Sequence, residues 1–139
     1  MRILIADDHA VIRRGLKQIL LEEFPGAEFG EAEDAESVIQ KSVTGDWDII
    51  ISDLSMPGRS GLEVVQHMKQ NFPKIPVLIL SIHPEEQYAI RVLKAGASGY
   101  LSKDAAPEEL VKAVNRVLQG RKYISASIAD RLFEELDQN

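Results

Sequence analysis

The sequence contains no cysteine and no long apolar run. Without thiols the chain can form no disulfide, no thiol nucleophile and no cysteine-based zinc site, which is compatible with a reducing compartment. The longest apolar runs are four or five residues, whereas a membrane-spanning helix needs about 20. The sequence therefore predicts a protein without membrane segments.

An excess of positive charge and a targeting segment are missing as well. The 139 residues carry a net charge of -6, so we expect no general attraction of this chain to nucleic acid phosphates. The first residues lead straight into an apolar run, which is not the pattern of a secretory signal. A cytoplasmic location is the resulting expectation.

The residues that are present fit one globular domain. Apolar residues make up 45% and charged residues 27%, an ordinary balance for a soluble domain with a proper core. Short apolar runs alternate with stretches of helical spacing, and this alternation predicts a parallel sheet with helices on both faces. The runs are 3–6, 27–32, 49–52, 77–81 and 99–101.

The composition of the runs also predicts the strand order. The first, third and fourth runs are continuously apolar, as expected for strands buried on both faces. The second alternates and the fifth is short, which places both at the edges. With right-handed crossovers the order 2-1-3-4-5 results, a doubly wound, flavodoxin-like α/β fold.

The clearest helical stripe follows the fifth run. Pro107 suits the first turn of this helix and Gly120 its end, so we place one domain at 1–120 and a linker or helical extension at 121–139. In the extension an apolar face either folds back on the domain, leads to a further domain or forms a dimer surface. That face consists of Ile128, Ala129, Leu132, Phe133 and Leu136.

Polar side chains follow the apolar runs where the strands should end. Because such strand ends face the ligand crevice of an open α/β sheet, we expect them to share one pocket. Carboxylates held together require a cation or a proton, and Mg²⁺ prefers oxygen ligands. The residues are Asp7 and Asp8, Asp53, Ser81 and Lys103.

This set suits phosphoryl chemistry. Beside a cation, Asp53 can attack a phosphoryl group and form an acyl phosphate, while Lys103 neutralises charge and Ser81 donates a hydrogen bond. Taken singly, Asp8 is as well explained as a helix cap, and Ser81 and Lys103 as structural or solvated residues. Their joint position at strand ends favours the functional interpretation.

These motifs resemble the receiver (CheY-like) domain of two-component response regulators, over about residues 1–120. The resemblance rests on Asp7-Asp8, Asp53 with Met56-Pro57 and Gly61, Ser81, and Gly99-Tyr100-Leu101-Ser102-Lys103. Further similarity, to the LuxR/NarL/FixJ subfamily whose receivers precede a helix-turn-helix domain, lies in Pro107-Glu108-Glu109-Leu110 and in residues 120–125.

The resemblance implies a role for each site residue. Asp53 matches the phosphoacceptor, which takes a phosphoryl group from a sensor histidine kinase in a Mg²⁺-dependent reaction. Lys103 matches the lysine that contacts this group, and Ser81 and Tyr100 match the switch hydroxyl and the switch aromatic residue. The implied metal ligands are Asp7, Asp8, Asp53 and the backbone carbonyl of Ser55.

The resemblance also implies a regulatory module rather than an enzyme beyond its own phosphotransfer and dephosphorylation. Phosphorylation draws the hydroxyl inward, and the aromatic side chain follows. The output is expected to be transcription, with DNA contacted only through a domain missing from this chain, and a homodimer is possible. A stand-alone receiver that controls protein contacts is the alternative.

One position departs from the family pattern. The residue after the switch hydroxyl is usually small, but here it is Ile82, and we predict slower autodephosphorylation than in an Ile82→Ala variant. His9 and His83 are poor candidates for metal ligands, because imidazole suits softer metals than an oxygen site does.

Two other functions are compatible with the strand ends. A Mg²⁺-dependent aspartyl-phosphate phosphatase would need an acid two residues after Asp53, where Ser55 stands, and a substrate cap for which no insertion is present. A flavin- or nucleotide-binding module would need a glycine-rich loop after the first strand, where Asp7 and Asp8 would repel phosphate.

Overall fold

The computed structural model describes residues 1–56, 60–81, 86–103, 107–124, 129–130 and 133–134. Within these residues the strands form one parallel sheet in the order β2-β1-β3-β4-β5. The predicted flavodoxin-like topology is therefore confirmed, including both edge strands. The strands are β1 (Arg2–Ala6), β2 (Glu28–Ala32), β3 (Ile49–Asp53), β4 (Val77–Ser81) and β5 (Gly99–Ser102).

Helices follow the strands in regular alternation. Asp34 caps the second helix, accepting a hydrogen bond from the Ser37 N–H at 2.8 Å, as expected for a short polar side chain at an N-cap. Pro107 is the first residue of the fifth helix, where its missing N–H costs nothing. The helices are α1 (Ala10–Glu23), α2 (Ala35–Thr44), α3 (Gly61–Asn71), α4 (Glu86–Ala95) and α5 (Pro107–Leu118).

The core consists of two apolar layers, one on each face of the sheet. Residues of α2, α3 and α4 cover one face, and residues of α1 and α5 cover the other. Side chains of β1 alternate between the layers, since Leu4 belongs to the first and Ile3 and Ile5 to the second. Each fully buried side chain of this size contributes about 1.5–3 kcal/mol, so the central strands form a firm base for the residues at their ends.

The chain beyond α5 returns to the sheet. Gly120 has a φ of 82°, a left-handed conformation suited to glycine at a helix end. Tyr123 then forms an isolated parallel bridge with Gly99 of β5. Of the predicted apolar face in the extension, only Ala129 and Phe133 lie among the described residues, and Phe133 is 67% exposed. No helix in the described part of the chain is both long and apolar enough to span a bilayer.

Candidate functional site

Strand register brings the predicted site residues to one edge of the sheet. Ala6 pairs with Ser52, so Asp7 and Asp53 are neighbours one residue further along β1 and β3. On the other side of β3, Asp53 pairs with Leu80, the residue before Ser81. Since carboxyl ends of parallel strands meet at the same edge, the acidic and hydroxyl side chains share one pocket.

Lys103 is the cation that joins this pocket. Its Nζ lies 2.8 Å from Asp7 Oδ2 and 3.1 Å from Asp53 Oδ2. The Lys103 backbone N–H donates to the carbonyl of Ser81 at 2.8 Å, which continues the β4–β5 ladder by one residue. This backbone bond fixes the position of Lys103 beside β4, and its side chain contacts both carboxylates.

Asp7 is a buried anion that nearby donors and a cation stabilise. Its side chain is only 1% exposed, and Oδ1 accepts the backbone N–H of His9 at 2.8 Å. Oδ2 contacts the Lys103 ammonium at 2.8 Å, and a carboxylate oxygen can accept a second partner. This oxygen therefore retains capacity for a further electrophilic partner.

The environments of Asp7 and Asp53 shift their acidities in opposite directions. Burial raises the pKa of Asp7, but Lys103 and the His9 N–H together lower it by a larger amount. The net pKa of Asp7 therefore lies below its ordinary value. Burial also raises the pKa of Asp53, and here Lys103 and the Ser55 N–H offset only part of the effect. Charge on Asp53 is therefore the less well compensated of the two, which favours an additional cation beside it.

Lys103 remains an ammonium in this arrangement. Burial lowers its pKa, but the hydrogen bonds and charges of Asp7 and Asp53 raise it more, and the net pKa lies above the ordinary value. The site therefore combines two carboxyl groups with one fixed positive charge.

Asp8 and His9 complete the outer side of the pocket. His9 Nδ1 lies 3.2 Å from Asp7 Oδ1 and 3.1 Å from Asp8 Oδ1. His9 is the N-cap of α1 but makes no side-chain capping bond, so its imidazole contacts the two carboxylates and not the helix end. The Asp8 side chain is 30% exposed, whereas the Asp7 and Asp53 side chains are 1% and 6% exposed.

The donor set fits a hard divalent cation. One ligand atom each from Asp7, Asp8 and His9 lies within 4.8 Å of the others, and Asp53 reaches the same pocket through Lys103. Carboxylate oxygens predominate, which is the chemistry that Mg²⁺ prefers. The Ser55 N–H donates to Asp53 Oδ1 at 3.3 Å, so the predicted Ser55 carbonyl belongs to the loop that carries Asp53.

Gly61 shapes the backbone behind Asp53. A Cβ atom at Gly61 would lie 2.6 Å from the Asp53 carbonyl oxygen and 2.8 Å from Leu54 Cα. The Gly61 N–H also donates to the Leu54 carbonyl at 2.7 Å. The first residue of α3 therefore contacts the Asp53 loop with no space for a side chain.

The two predicted switch residues occupy different positions. Ser81 ends β4 at the pocket edge and is 1% exposed, whereas Tyr100 of β5 is 5% exposed and belongs to the α2–α4 core layer. Ile82 and His83 lie outside the described residues, so the effect of Ile82 on phosphate lifetime stays a prediction.

Arg13 is a site residue that the sequence interpretation missed. It is 9% exposed, donates from Nη1 to the Asp7 carbonyl at 2.5 Å and pairs through Nε with Glu31 at 2.9 Å. The guanidinium thus fastens the end of β1 to β2. Its position three and seven residues before Leu16 and Leu20, at helical spacing, was the available signal.

Residues 3–115 match the response regulator receiver domain. The chain belongs to the response regulator receiver family. It is a regulatory domain rather than a conventional enzyme, and its fold is the one that the alternating apolar runs and helical stretches predicted.

The receiver domain is similar in sequence to parts of longer regulatory proteins. It is 36% identical over 133 residues to the response regulator UvrY of Escherichia coli K12 and 39% identical over 140 residues to the oxygen regulatory protein NreC of Staphylococcus carnosus. These matches cover 95% and 100% of this chain but 61% and 64% of those proteins. The chain thus spans less than two thirds of the length of these relatives.

The structural matches agree. A LuxR-family response regulator from Aurantimonas sp. SI85-9A1 superposes with a TM-score of 0.86 at 36% identity, covering 96% of both chains. The isolated receiver domain of RcsB from Salmonella enterica superposes with a TM-score of 0.83 at 30% identity, covering 95% of this chain and 97% of the other. These matches support the predicted LuxR/NarL-type assignment.

Proposed function

We propose that this receiver domain accepts a phosphoryl group on Asp53 from a sensor histidine kinase and that the modification changes its conformation. The observation that carries the proposal is the Lys103 ammonium held between Asp7 and Asp53. A solvated surface lysine would not contact two buried carboxylates. Phosphoryl transfer, in contrast, requires a fixed cation beside an anionic nucleophile.

The transfer itself needs one bond made and one broken. A carboxylate oxygen of Asp53 attacks the phosphorus of a phosphohistidine, a P–O bond forms, and the P–N bond breaks. The electron pair of the broken bond leaves with the imidazole, which then takes a proton. Lys103 stays protonated throughout and neutralises charge on the equatorial oxygens.

Asp8, Asp53 and the Ser55 carbonyl, with Asp7 directly or through water, would hold Mg²⁺. When bound, this ion supplies charge neutralisation and orientation for the phosphoryl group. Before binding, Lys103 and the His9 N–H keep Asp7 ionised, so part of the acidic pocket is prepared for a cation.

Switching is assigned to Ser81 and Tyr100. A phosphoryl group on Asp53 adds negative charge and strong acceptors, and in this proposal the Ser81 hydroxyl at the next strand end donates to it. The buried position of the Tyr100 ring, which this structure contains, is then the conformation that phosphorylation stabilises. A two-state element is biased in this way because only one arrangement makes the new contacts.

The output is proposed to be transcription through a DNA-binding segment outside these 139 residues. RcsB of Salmonella enterica has been solved bound to a promoter with the phosphomimetic BeF₃⁻, and two RcsB dimers have been solved bound to two parallel DNAs. By analogy we assign residues 1–120 to the receiver, residues 121–139 to the connection, and a homodimer to the active state. Cytoplasmic location, within reach of a kinase domain, is part of the same proposal.

Intact mass after incubation with phosphoramidate and Mg²⁺ tests the central step. We expect a single phosphate adduct that requires Mg²⁺ and is missing from Asp53→Asn. Asp46→Asn, at an exposed aspartate before β3, is the matched control and should keep the adduct. An adduct retained by Asp53→Asn would refute the assignment, and repeated turnover of phosphate esters would favour a phosphatase.

A further inference from the structure

The chain that leaves α5 is attached to the edge of β5 by its backbone. The Tyr123 N–H donates to the Ser98 carbonyl at 3.0 Å, and the Tyr100 N–H donates to the Tyr123 carbonyl at 3.2 Å. These two bonds flank Gly99 and form the parallel bridge between Gly99 and Tyr123. We call residues 121–124 the edge segment.

Two side chains hold the edge segment in place. Lys122 Nζ donates to the Ala97 carbonyl at 3.1 Å, and the Tyr123 hydroxyl donates to Glu109 Oε1 of α5 at 2.8 Å. Tyr123 is 9% exposed and belongs to the core layer of α1 and α5. The edge segment is therefore packed against the domain by side chains as well as by its backbone.

Gly99 permits this close approach. A Cβ atom there would lie 2.9 Å from the Tyr123 carbonyl oxygen and 2.8 Å from Leu78 Cδ1. Any side chain at Gly99 would push the edge segment away or displace the core.

The edge segment also contacts the residue assigned to switching. Tyr100 donates its backbone N–H to the bridge, while its ring lies in the α2–α4 core layer. Ile124, the last residue of the edge segment, packs against that same layer. The bridge and the buried Tyr100 ring therefore occur together in one conformation.

We infer that the edge segment is a conformational output element, whose bridge to β5 is stabilised when Asp53 is phosphorylated. The inference rests on the proposed function. A phosphoryl group that favours the buried Tyr100 ring also favours the backbone position of Tyr100, and with it the bond to Tyr123. Whatever follows residue 124 would then be held in one orientation by the phosphorylated state.

Thermodynamic linkage makes the coupling reciprocal. If phosphorylation strengthens the bridge by some factor, the protein with the bridge open must bind a phosphoryl analogue more weakly than the protein with the bridge closed by that same factor. The two directions can be measured separately in the 139-residue protein.

The first test is hydrogen exchange by NMR, with and without BeF₃⁻ and Mg²⁺. We expect BeF₃⁻ to shift the Lys103 signals and to slow exchange of the Tyr100 and Tyr123 amides by at least about threefold. A shift of Lys103 with unchanged exchange at both amides would overturn the coupling and leave the phosphoacceptor assignment intact. No shift of Lys103 would overturn the phosphoacceptor assignment, and the coupling with it.

The reciprocal test uses a variant of the edge segment. Lys122→Met removes the bond to Ala97 but keeps the aliphatic chain, and we expect about threefold weaker BeF₃⁻ binding by titration calorimetry. Lys112→Met, at an exposed lysine of α5, is the matched control and should bind like the unmodified protein. Equal affinities for both variants would overturn the coupling.

Discussion

Replacing Gly61 with alanine should displace the Asp53 loop and so lower both stability and the rate of phosphorylation. The new Cβ would lie 2.6 Å from the Asp53 carbonyl oxygen and 3.2 Å from the Leu54 carbonyl oxygen, whereas ordinary contacts begin at 3.4 Å. Since both neighbours are backbone atoms, they cannot rotate away, and the Asp53 loop must move by several tenths of an ångström. Overpacking of this kind costs about 1–3 kcal/mol.

A small gain offsets part of this cost. Alanine is preferred over glycine inside a helix by about 1 kcal/mol at most, and Gly61 is only the first residue of α3. We therefore expect Gly61→Ala to lose about 1–2 kcal/mol of unfolding free energy, which lowers the urea midpoint by roughly 0.5–1 M. Displacing the nucleophile should also slow phosphorylation about tenfold or more, because misplacement by 1 Å can cost about a hundredfold.

Urea unfolding followed by the fluorescence of Trp47, the single tryptophan, measures the stability change. Gly15→Ala is the matched control, because a Cβ there meets nothing within 4 Å in the middle of α1. It should gain about 0.5–1 kcal/mol and phosphorylate normally. If Gly61→Ala were as stable and as rapidly phosphorylated as the unmodified protein, the steric argument would fail.

Three further outcomes concern other residues. Lys103→Met should slow phosphorylation by phosphoramidate about a hundredfold while keeping Mg²⁺ binding by calorimetry, and lost Mg²⁺ binding would contradict the division of roles. Ile82→Ala should release phosphate faster than the unmodified protein, and equal release rates would remove the proposed effect of Ile82. Burial and the Glu109 carboxylate raise the pKa of Tyr123 to about 12. Its stabilisation is therefore complete below about pH 10 and is lost as the pH rises through 12, and the tyrosinate absorbance of Tyr123→Phe should lack a component that titrates near pH 12 in the unmodified protein.

The fold could be predicted because the burial of a strand determines which of its residues are apolar. Strands covered on both faces, such as β3 and β4, are continuously apolar, whereas β2 alternates and lies at an edge. The site followed from the same argument, since parallel strands bring their ends together. The sequence predicted that Lys103 lies near Asp7 and Asp53, but it could not predict that one ammonium contacts both carboxylates.

Contacts that depend on the rotation of a helix or on a returning chain were not predictable in this way. Arg13 reaches the Asp7 carbonyl only because α1 turns that face toward β1. The edge segment reaches β5 only because the chain reverses at Gly120. The sequence marks Gly61 as part of a motif, but only the structure gives the steric reason for glycine there.

The register of the sheet has a consequence for biosynthesis. β1 pairs with β3, so both acidic strand ends are available once about 56 residues have emerged. Lys103 follows Asp53 by 50 positions, so at about 5–20 residues per second the ribosome adds the lysine several seconds after the nucleophile. The nascent chain therefore carries both carboxylates before their counter-charge exists, and the ion pairs can form only after β5 has been made.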